Sequence, residues 1–573
     1  MYRFLIVVFS VLSLTSFKAQ NWSIDTLKAS FKSRGHLDSL DVHARSFSLP
    51  FVAFGFCEFP DENLILTNAQ HLFVPIKNDR RIIFTALPHI GFGYSFGQQG
   101  TQLLTANYQQ AVSKNLLLNA NLSQDQFTGF QRNSFNKQLN YKLLMRLSFP
   151  NIESVMKIEH HGMTSNWSDG LANDSLLSVL PQNLISVNKD NASSKNASTV
   201  YSNDLKYNFS RSSEIKTGTE LSLNYSKFKR FYFEEGDLST LYSLITIDST
   251  ETADSVYLDK FNAAFGFFYE KGKFKLNSHI GAYNWNSQTM GRQLDTTEIN
   301  VDFELLYSTK NYRFSSQGYY GLYGNFSSFL IDNEFSIVLK SSRIRFYNEL
   351  SRLPPSPFIR DFRGNNLDYS LTSISLQQNL KFGLEYAYSR SILWSQFGGE
   401  YWQSSNGYFF DSTQWTTQFP GMINALKLKF TGGVNTKRII SHLGYNFTSI
   451  PNEISYLPKH HFTVRIAYKF GLFKQGRLKT LIGVDAYYLS SHKRLIYSPV
   501  IGSFNLASLP QQDSYPGYYA LGAFANFNVN QFRFFARVDN ISYLWVSKKT
   551  EILKGYFYPS TQLKLGITWD FWN

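Results

Sequence analysis

The chain has 573 residues, with 56 Lys and Arg against 42 Asp and Glu, a formal charge of +14 and one cysteine, Cys57. A lone cysteine excludes an intramolecular disulfide scaffold and a multi-cysteine zinc site. Aromatic residues make up 17% at a mean hydropathy of only −0.25, and no segment after the leader approaches the ~18 consecutive apolar residues of a spanning helix.

Arg3 and the apolar stretch from Phe4 to Leu14 read as a secretory leader, and Phe17-Lys18-Ala19 before Gln20 predicts cleavage after Ala19. Residues 1–19 are thus expected to be a signal peptide. Residues 20–80 are irregular; Ser46 to Phe59 is rich in Phe without alternating cleanly. That segment is expected in the periplasm or folded into a lumen, and residues 81–573 are expected to form a barrel.

From Pro88 onward the sequence becomes a series of alternating segments of roughly 10 residues, the length of tilted membrane strands. Ile90 to Phe96 is the first. Later, Ile299, Val301, Phe303, Leu305 and Tyr307 alternate with Asn300, Asp302 and Glu304. Leu426, Leu428 and Phe430 alternate with Lys427 and Lys429. Phe462, Val464, Ile466, Tyr468 and Phe470 alternate with Thr463, Arg465 and Lys469. Phe532, Phe534, Ala536 and Val538 alternate with Arg533, Arg537 and Asp539, the exception being Phe535. The last strand, Gln562 to Phe571, alternates strictly, with Lys564 on its polar face. Its aromatic end, Trp569, Phe571 and Trp572, is the expected signal for the barrel-assembly machinery. A strand sends successive side chains to opposite faces, so each segment offers one face to lipid and one to water.

The connections alternate between short and long. Short turns are expected near Ser113-Lys114-Asn115, Phe149-Pro150-Asn151, Glu270-Lys271-Gly272, Ser308 to Asn311, Ser341-Ser342, Gly432-Gly433, Lys474-Gln475-Gly476 and Asn528-Val529-Asn530. Long polar connections are expected near 163–198, 231–256, 353–372, 404–421, 448–460, 491–516 and 542–559. Outer-membrane barrels have short periplasmic turns and longer external loops. The expectation is therefore all-β, a transmembrane antiparallel β-barrel of about 22 strands within a range of 16 to 22.

Seven basic residues lie opposite apolar faces: Lys427, Lys429, Arg465, Lys469, Arg533, Arg537 and Lys564. On the lipid face near the midplane one such charge would cost ~2–4 kcal/mol. They are assigned to the lumen or the rims, either as the lining of an anion-favouring pore or as partners of Asp302, Glu304, Asp539 or Asp570 that hold up the wall. Pairing is the simpler reading, because a wide barrel carries many charges.

Catalytic patterns are weak. Glu159-His160-His161 and Lys459-His460-His461 hold adjacent histidines, which a strand would send to opposite faces, so they are read as loop or interfacial residues and not as ligands. Gly93-Tyr94-Ser95-Phe96-Gly97 matches G-x-S-x-G, but no helix pattern follows it, as a nucleophile elbow requires. Glu234-Glu235 before Gly236 reads as a solvated turn, with a cation site as the alternative. No metal and no cofactor are expected.

The stretch Pro88 to Gly97 with Gln102, the Asn166 to Leu171 loop, Tyr497-Ser498-Pro499 with Phe504, Tyr515-Pro516, Val538-Asp539-Asn540 and the tail from Tyr558-Pro559 to Phe571 together resemble the β-barrel porin family of Bacteroidetes-type outer membranes. The tail is also similar to TonB-dependent receptor barrels, whose large plug domain has no room in residues 20–80. The resemblance implies a cell outer-membrane porin.

Alternation and resemblance lead to one reading: a non-enzymatic channel for passive diffusion of small polar solutes, with a possible preference for anions. The expected partners are outer-membrane lipid and lipopolysaccharide, the assembly machinery and the solutes, and no nucleic acid. The alternatives are a gated or assisted transporter of a bulky or hydrophobic substrate, with residues 20–80 in the lumen, and a surface adhesin or scaffold.

Overall fold

The computed structural model describes residues 87–572 apart from 212–214, 325–326, 356, 372–374, 411–414, 419–420, 451–457, 494–495, 506–513, 547–549, 554 and 558–559. Residues 1–19, expected to be a leader, and the segment 20–80 lie outside the described residues.

Twenty-two strands make one antiparallel sheet. They are β1 (His89–Gly97), β2 (Gln102–Ala111), β3 (Leu116–Phe127), β4 (Asn136–Ser148), β5 (Ile152–Trp167), β6 (Ala192–Arg211), β7 (Ile215–Glu235), β8 (Glu251–Lys271), β9 (Phe274–Thr289), β10 (Arg292–Ser308) and β11 (Tyr312–Tyr323). There follow β12 (Phe329–Val338), β13 (Ser342–Leu353), β14 (Gln377–Arg390), β15 (Leu393–Ser405), β16 (Met422–Asn435), β17 (Ile439–Ser449), β18 (His460–Leu472), β19 (Leu478–Leu489), β20 (Tyr518–Val529), β21 (Phe532–Asp539) and β22 (Gln562–Trp572). Each pairs with its neighbours in sequence, and β1 pairs with both β2 and β22, from His89↔Trp572 to Gly97↔Lys564, so the sheet has no free edge. Closure gives every strand of the sheet a partner on both sides, as a bilayer demands. No helix among the described residues is long and apolar enough to cross a membrane.

The alternation sorts the two faces as expected. On β22, Leu563, Leu565, Ile567 and Trp569 are exposed on the outside, while Gln562 and Lys564 are buried on the inside. Phe535, the exception in β21, is inward too. Its ring lies over Gly566, where a Cβ would come within 2.4 Å of it; a strand glycine often marks such a close approach. Tyr347 sits over Gly383 in the same way.

Every turn at the end where β1 begins and β22 finishes is short, and the long connections all lie at the other end, which also carries the short connections 98–101 and 290–291. Two boundary expectations need correction. Gly432 and Gly433 are not a turn but lie inside β16, and the turn is 436–438, where the Thr436 hydroxyl accepts from the backbone of Arg438 and Ile439. Gly433 is small because the inward Trp394 indole packs over it, 3.0 Å from where a Cβ would stand. The connections near 163–198 and 231–256 are shorter than expected, because β5 runs to Trp167, β6 starts at Ala192, β7 runs to Glu235 and β8 starts at Glu251. Strands β6 to β8 have 20 or 21 residues, about twice what a bilayer needs. Beyond the bilayer the outer face need not be apolar, and the alternation fades there.

Candidate functional site

A hydrophobic core sits at the long-loop mouth of the barrel. The upper, inward faces of β5 to β8 contribute Trp167, Ala192, Tyr232 and Val256. Three loops from other parts of the ring pack onto them: 354–376 after β13, 406–421 after β15 and 490–517 after β19. In a ring of 22 strands β7 and β19 are nearly diametrically opposed. The loops therefore cross the mouth.

Aromatic rings form the centre. Phe358 meets Phe362 edge-on at 5.4 Å and Phe410 at 6.4 Å, and Tyr369 stacks on Phe362 at 5.8 Å and meets Phe410 at 6.0 Å. Phe362, Phe410 and Ile501 are fully buried. The short helix Pro357–Arg360 and the hairpin of Asp361–Arg363 with Asp368–Ser370 present these rings. The loops were expected to be polar connections, but this one is an ordered, apolar lid. The run Phe358-Ile359-Arg360-Asp361-Phe362, with Leu367 and Tyr369 after it, is too apolar for a solvated loop, and was the signal to read.

Polar pins hold the lid to the wall. The Asn365 side chain donates to the carbonyls of Asp248 (2.7 Å) and Glu251 (3.0 Å) and accepts from the backbone of Ile247 and Asp248. Its own backbone N–H donates to Asp254 at 2.7 Å. Gly364 beside it has no room for a Cβ, which would come within 2.2 Å of the Asp254 carboxylate. Arg292, at the start of β10, reaches Asp361 at 2.8 Å and Asp368 at 2.7 Å. From β7, Arg230 donates to the carbonyls of Pro499 and Val500. Asn365→Ala should leave two carbonyls and two N–H groups without their partner, at ~1–3 kcal/mol per buried group. The expected outcome is faster proteolytic nicking in 354–376 with the barrel still resistant, read by limited proteolysis.

Glu234 corrects another expectation. It is not in a solvated turn but at the end of β7, 2% exposed, where it pairs with Lys189 at 3.0 Å and accepts from the Tyr232 and Tyr242 hydroxyls. Burial, and then the adjacent Glu234 carboxylate, hold the Tyr242 hydroxyl pKa well above its ordinary value. The charge here is met by a lysine of the chain itself. Glu234→Gln would leave the buried Lys189 with only the half-exposed Asp169, at 4.0 Å, as an anion, at up to ~3–5 kcal/mol, and should release the loop 168–191. Faster hydrogen exchange at 185–190 would show it. That loop also meets the loop 540–561, where Gly170 and Gly555 touch: a Cβ on either would stand 2.7 Å from the other's Cα. Both have positive φ, 85° and 79°, a region glycine adopts without strain.

The wall below carries the basic residues. Arg465 and Arg537 share Asp485, at 3.4 and 2.8 Å; Arg537 also holds Asp539, which pairs with Lys564 at 3.1 Å. Three of the seven basic positions thus form one chain of ion pairs across β18, β19, β21 and β22. Lys469 caps a turn through Asn435 and the Thr436 carbonyl. Arg533 is half-buried near the short-turn end, opposite Thr568. Lys427 stands opposite Glu400 in register, and Lys429 is exposed to the lumen. The structure brings Arg465, Arg537 and Lys564 together and leaves the other four apart. On β10 to β15 the wall is rich in carboxylates. Asp302 is bonded to His279 at 2.7 Å, Glu334 and Glu385 flank Arg345 at 2.8 and 3.2 Å, and Glu400 lies 3.4 Å from Lys381.

The adjacent histidines lie in strands, not loops, and face opposite ways. His160 stacks outside on Tyr141 at 4.7 Å, and His161 faces in beside Asn140. His460 stands beside the Tyr445 hydroxyl outside, and His461 is buried inside. Ser95 lies mid-strand, opposite Leu103 and Gly566, with no elbow. Among the described residues no three His, Cys, Asp or Glu side chains converge as metal ligands.

Comparison with known proteins agrees with this architecture. The family model described as “Putative porin” matches residues 12–573. No curated protein matches. Among solved structures the chain is similar to the copper transporter OprC, with a TM-score of 0.62, 10% identity, and 84% of this chain and 81% of that one covered. It is also similar to the siderophore receptor PirA from Acinetobacter baumannii (0.58, 9%, 85% and 80%) and to the FrpB iron transporter from Neisseria meningitidis (0.56, 10%, 85% and 81%). At such identities the likeness is one of fold.

Proposed function

The chain belongs to the family described as “Putative porin” and is an outer-membrane transport protein; on that premise we propose that it is a lidded channel, conducting polar solutes only when its external loops swing off the mouth. The single observation that carries this reading is the aromatic core joining loops 354–376, 406–421 and 490–517 to the far wall. A porin open at rest has no need of a hydrophobic core across its entrance. The reading replaces simple passive diffusion with diffusion through a gate, and nothing in it requires a catalysed reaction. Selectivity rests on the lid more than on lining charge, because carboxylates of the wall engage several of the basic side chains.

Size-graded sugars entering proteoliposomes test the proposal. The unmodified protein should admit them slowly at every size, and loosening the lid should speed the small ones most. Fast uptake by the unmodified protein, with a sharp size limit, would restore the open-porin reading.

A further inference from the structure

The outer face of β4 to β7 carries a pattern that transport does not use. Moving toward the loop end, the outward residues of β4 run Leu143, Tyr141, Leu139, Lys137. Those of β6 run Leu205, Asn203, Tyr201, Thr199, Ala197, Lys195, and those of β7 run Leu223, Tyr225, Lys227, Lys229. In β4, β6 and β7 a tyrosine is followed by lysine toward the loop end, and β5 between them presents Ile158, His160, Gly162 and Thr164. Tyr141 and Tyr201 are exposed, and Tyr201 stacks on Tyr225 at 6.2 Å. Interfacial tyrosines mark the headgroup level, so the lysines stand at and above it, roughly 7–20 Å further along the strands.

These four lysines are not spent inside the protein. Lys195 and Lys229 are exposed and Lys137 and Lys227 half-buried, and none forms an ion pair among the described residues. Lys229 lies 5.6 Å from the Tyr257 ring. Asp259, cross-strand from Lys227, is engaged by the Tyr225 hydroxyl at 3.2 Å. The neighbouring inward residue, Arg230, is turned to the lid, so the alternation sorts this basic run into two uses.

We propose that Lys137, Lys195, Lys227 and Lys229 form a docking surface for the phosphorylated headgroup of an outer-leaflet glycolipid, lipopolysaccharide. Charge complementarity requires an anion, and the tyrosine row places that anion on a lipid already seated against the barrel. The lysines stand at a spread of heights, Lys227 two residues beyond its strand's tyrosine, Lys137 and Lys229 four and Lys195 six, on strands that project past the bilayer. A phospholipid carries its phosphate in one thin layer, whereas a glycolipid with phosphates at several depths meets the whole spread. The inference stands whether or not the channel is gated.

The test uses the full-length protein, stripped of lipid in detergent and titrated with purified lipopolysaccharide or with phosphatidylglycerol while thermal unfolding is followed. Lipopolysaccharide should raise the Tm of the unmodified protein saturably, and phosphatidylglycerol should act only at far higher concentration. A variant with K137Q, K195Q, K227Q and K229Q should keep its lipid-free Tm. Its half-saturating lipopolysaccharide concentration should rise by roughly six-hundred-fold, at about five-fold for each of the four lysines near a charged surface. The corresponding arginine variant should respond as the unmodified protein does. Should the fourfold variant fail to fold, K227Q with K229Q should raise the midpoint by about twenty-fold. An unchanged midpoint in the glutamine variants, or an equal response to phosphatidylglycerol in the unmodified protein, would overturn the proposal.

Discussion

Replacing Phe362 and Phe410 together by alanine should convert the closed channel into an open one, raising solute uptake by proteoliposomes at least about a hundred-fold. Both rings are 1% exposed at the centre of the lid core. Cutting a buried Phe to Ala costs ~3–5 kcal/mol at a packed site, and a change of about 2.7 kcal/mol already alters a two-state ratio a hundred-fold. The loss falls on the closed state alone, because the rings lie in loops and not in the barrel sheet. The heat-resistant mobility of the folded barrel should therefore be unchanged. Val179→Ala, at a side chain 73% exposed on a neighbouring loop, should leave uptake as it was. Uptake that stays low in the double variant would mean that the lid does not limit permeation.

The second large effect concerns the wall. Asp539→Asn removes the anion between Arg537 and Lys564 from a fully buried site. Two cations would be left there, Arg537 with Asp485 beside it and Lys564 with the more distant charge of Asp125. Breaking a buried pair costs ~3–5 kcal/mol, and the damage falls on β21 and β22, beside the β22–β1 seam that closes the ring. Folded barrel should be lost at a clearly lower temperature, read by heat-dependent gel mobility. Adding Lys564→Met should recover part of the loss, because the second cation is gone and its stem volume is kept. A single variant as stable as the unmodified protein would show that the ion chain does not support the wall.

The membrane-spanning half of each strand was legible because there one face must be apolar and the other must not. Leu563 to Phe571, Phe462 to Phe470 and the first strand at Ile90 are legible for that reason. Where that constraint lapses, legibility lapses with it. Beyond the bilayer, residues 163–167, 192–198 and 231–235 are strands whose outer residues, Thr164, Lys195 and Phe231 among them, are no longer uniformly apolar, so the alternation of a membrane strand is lost. Gly432-Gly433 resembles a turn by composition, and only Trp394 across the sheet explains it. Glu234 resembles a surface carboxylate until Lys189, 45 positions earlier, is folded against it. The lid is the largest omission. Its partners lie on opposite sides of the ring, and nothing local in 354–376 names Trp167 or Tyr232 as what it covers, although its run of apolar residues argues against a solvated loop.

Single-channel currents in a planar bilayer, with a salt gradient across it, test the central claim most directly. The unmodified protein should sit at a near-zero baseline broken by brief, large openings, and the Phe362→Ala, Phe410→Ala variant should hold those openings for most of the record. A steady, large conductance in the unmodified protein, unaltered in the variant, would contradict the account.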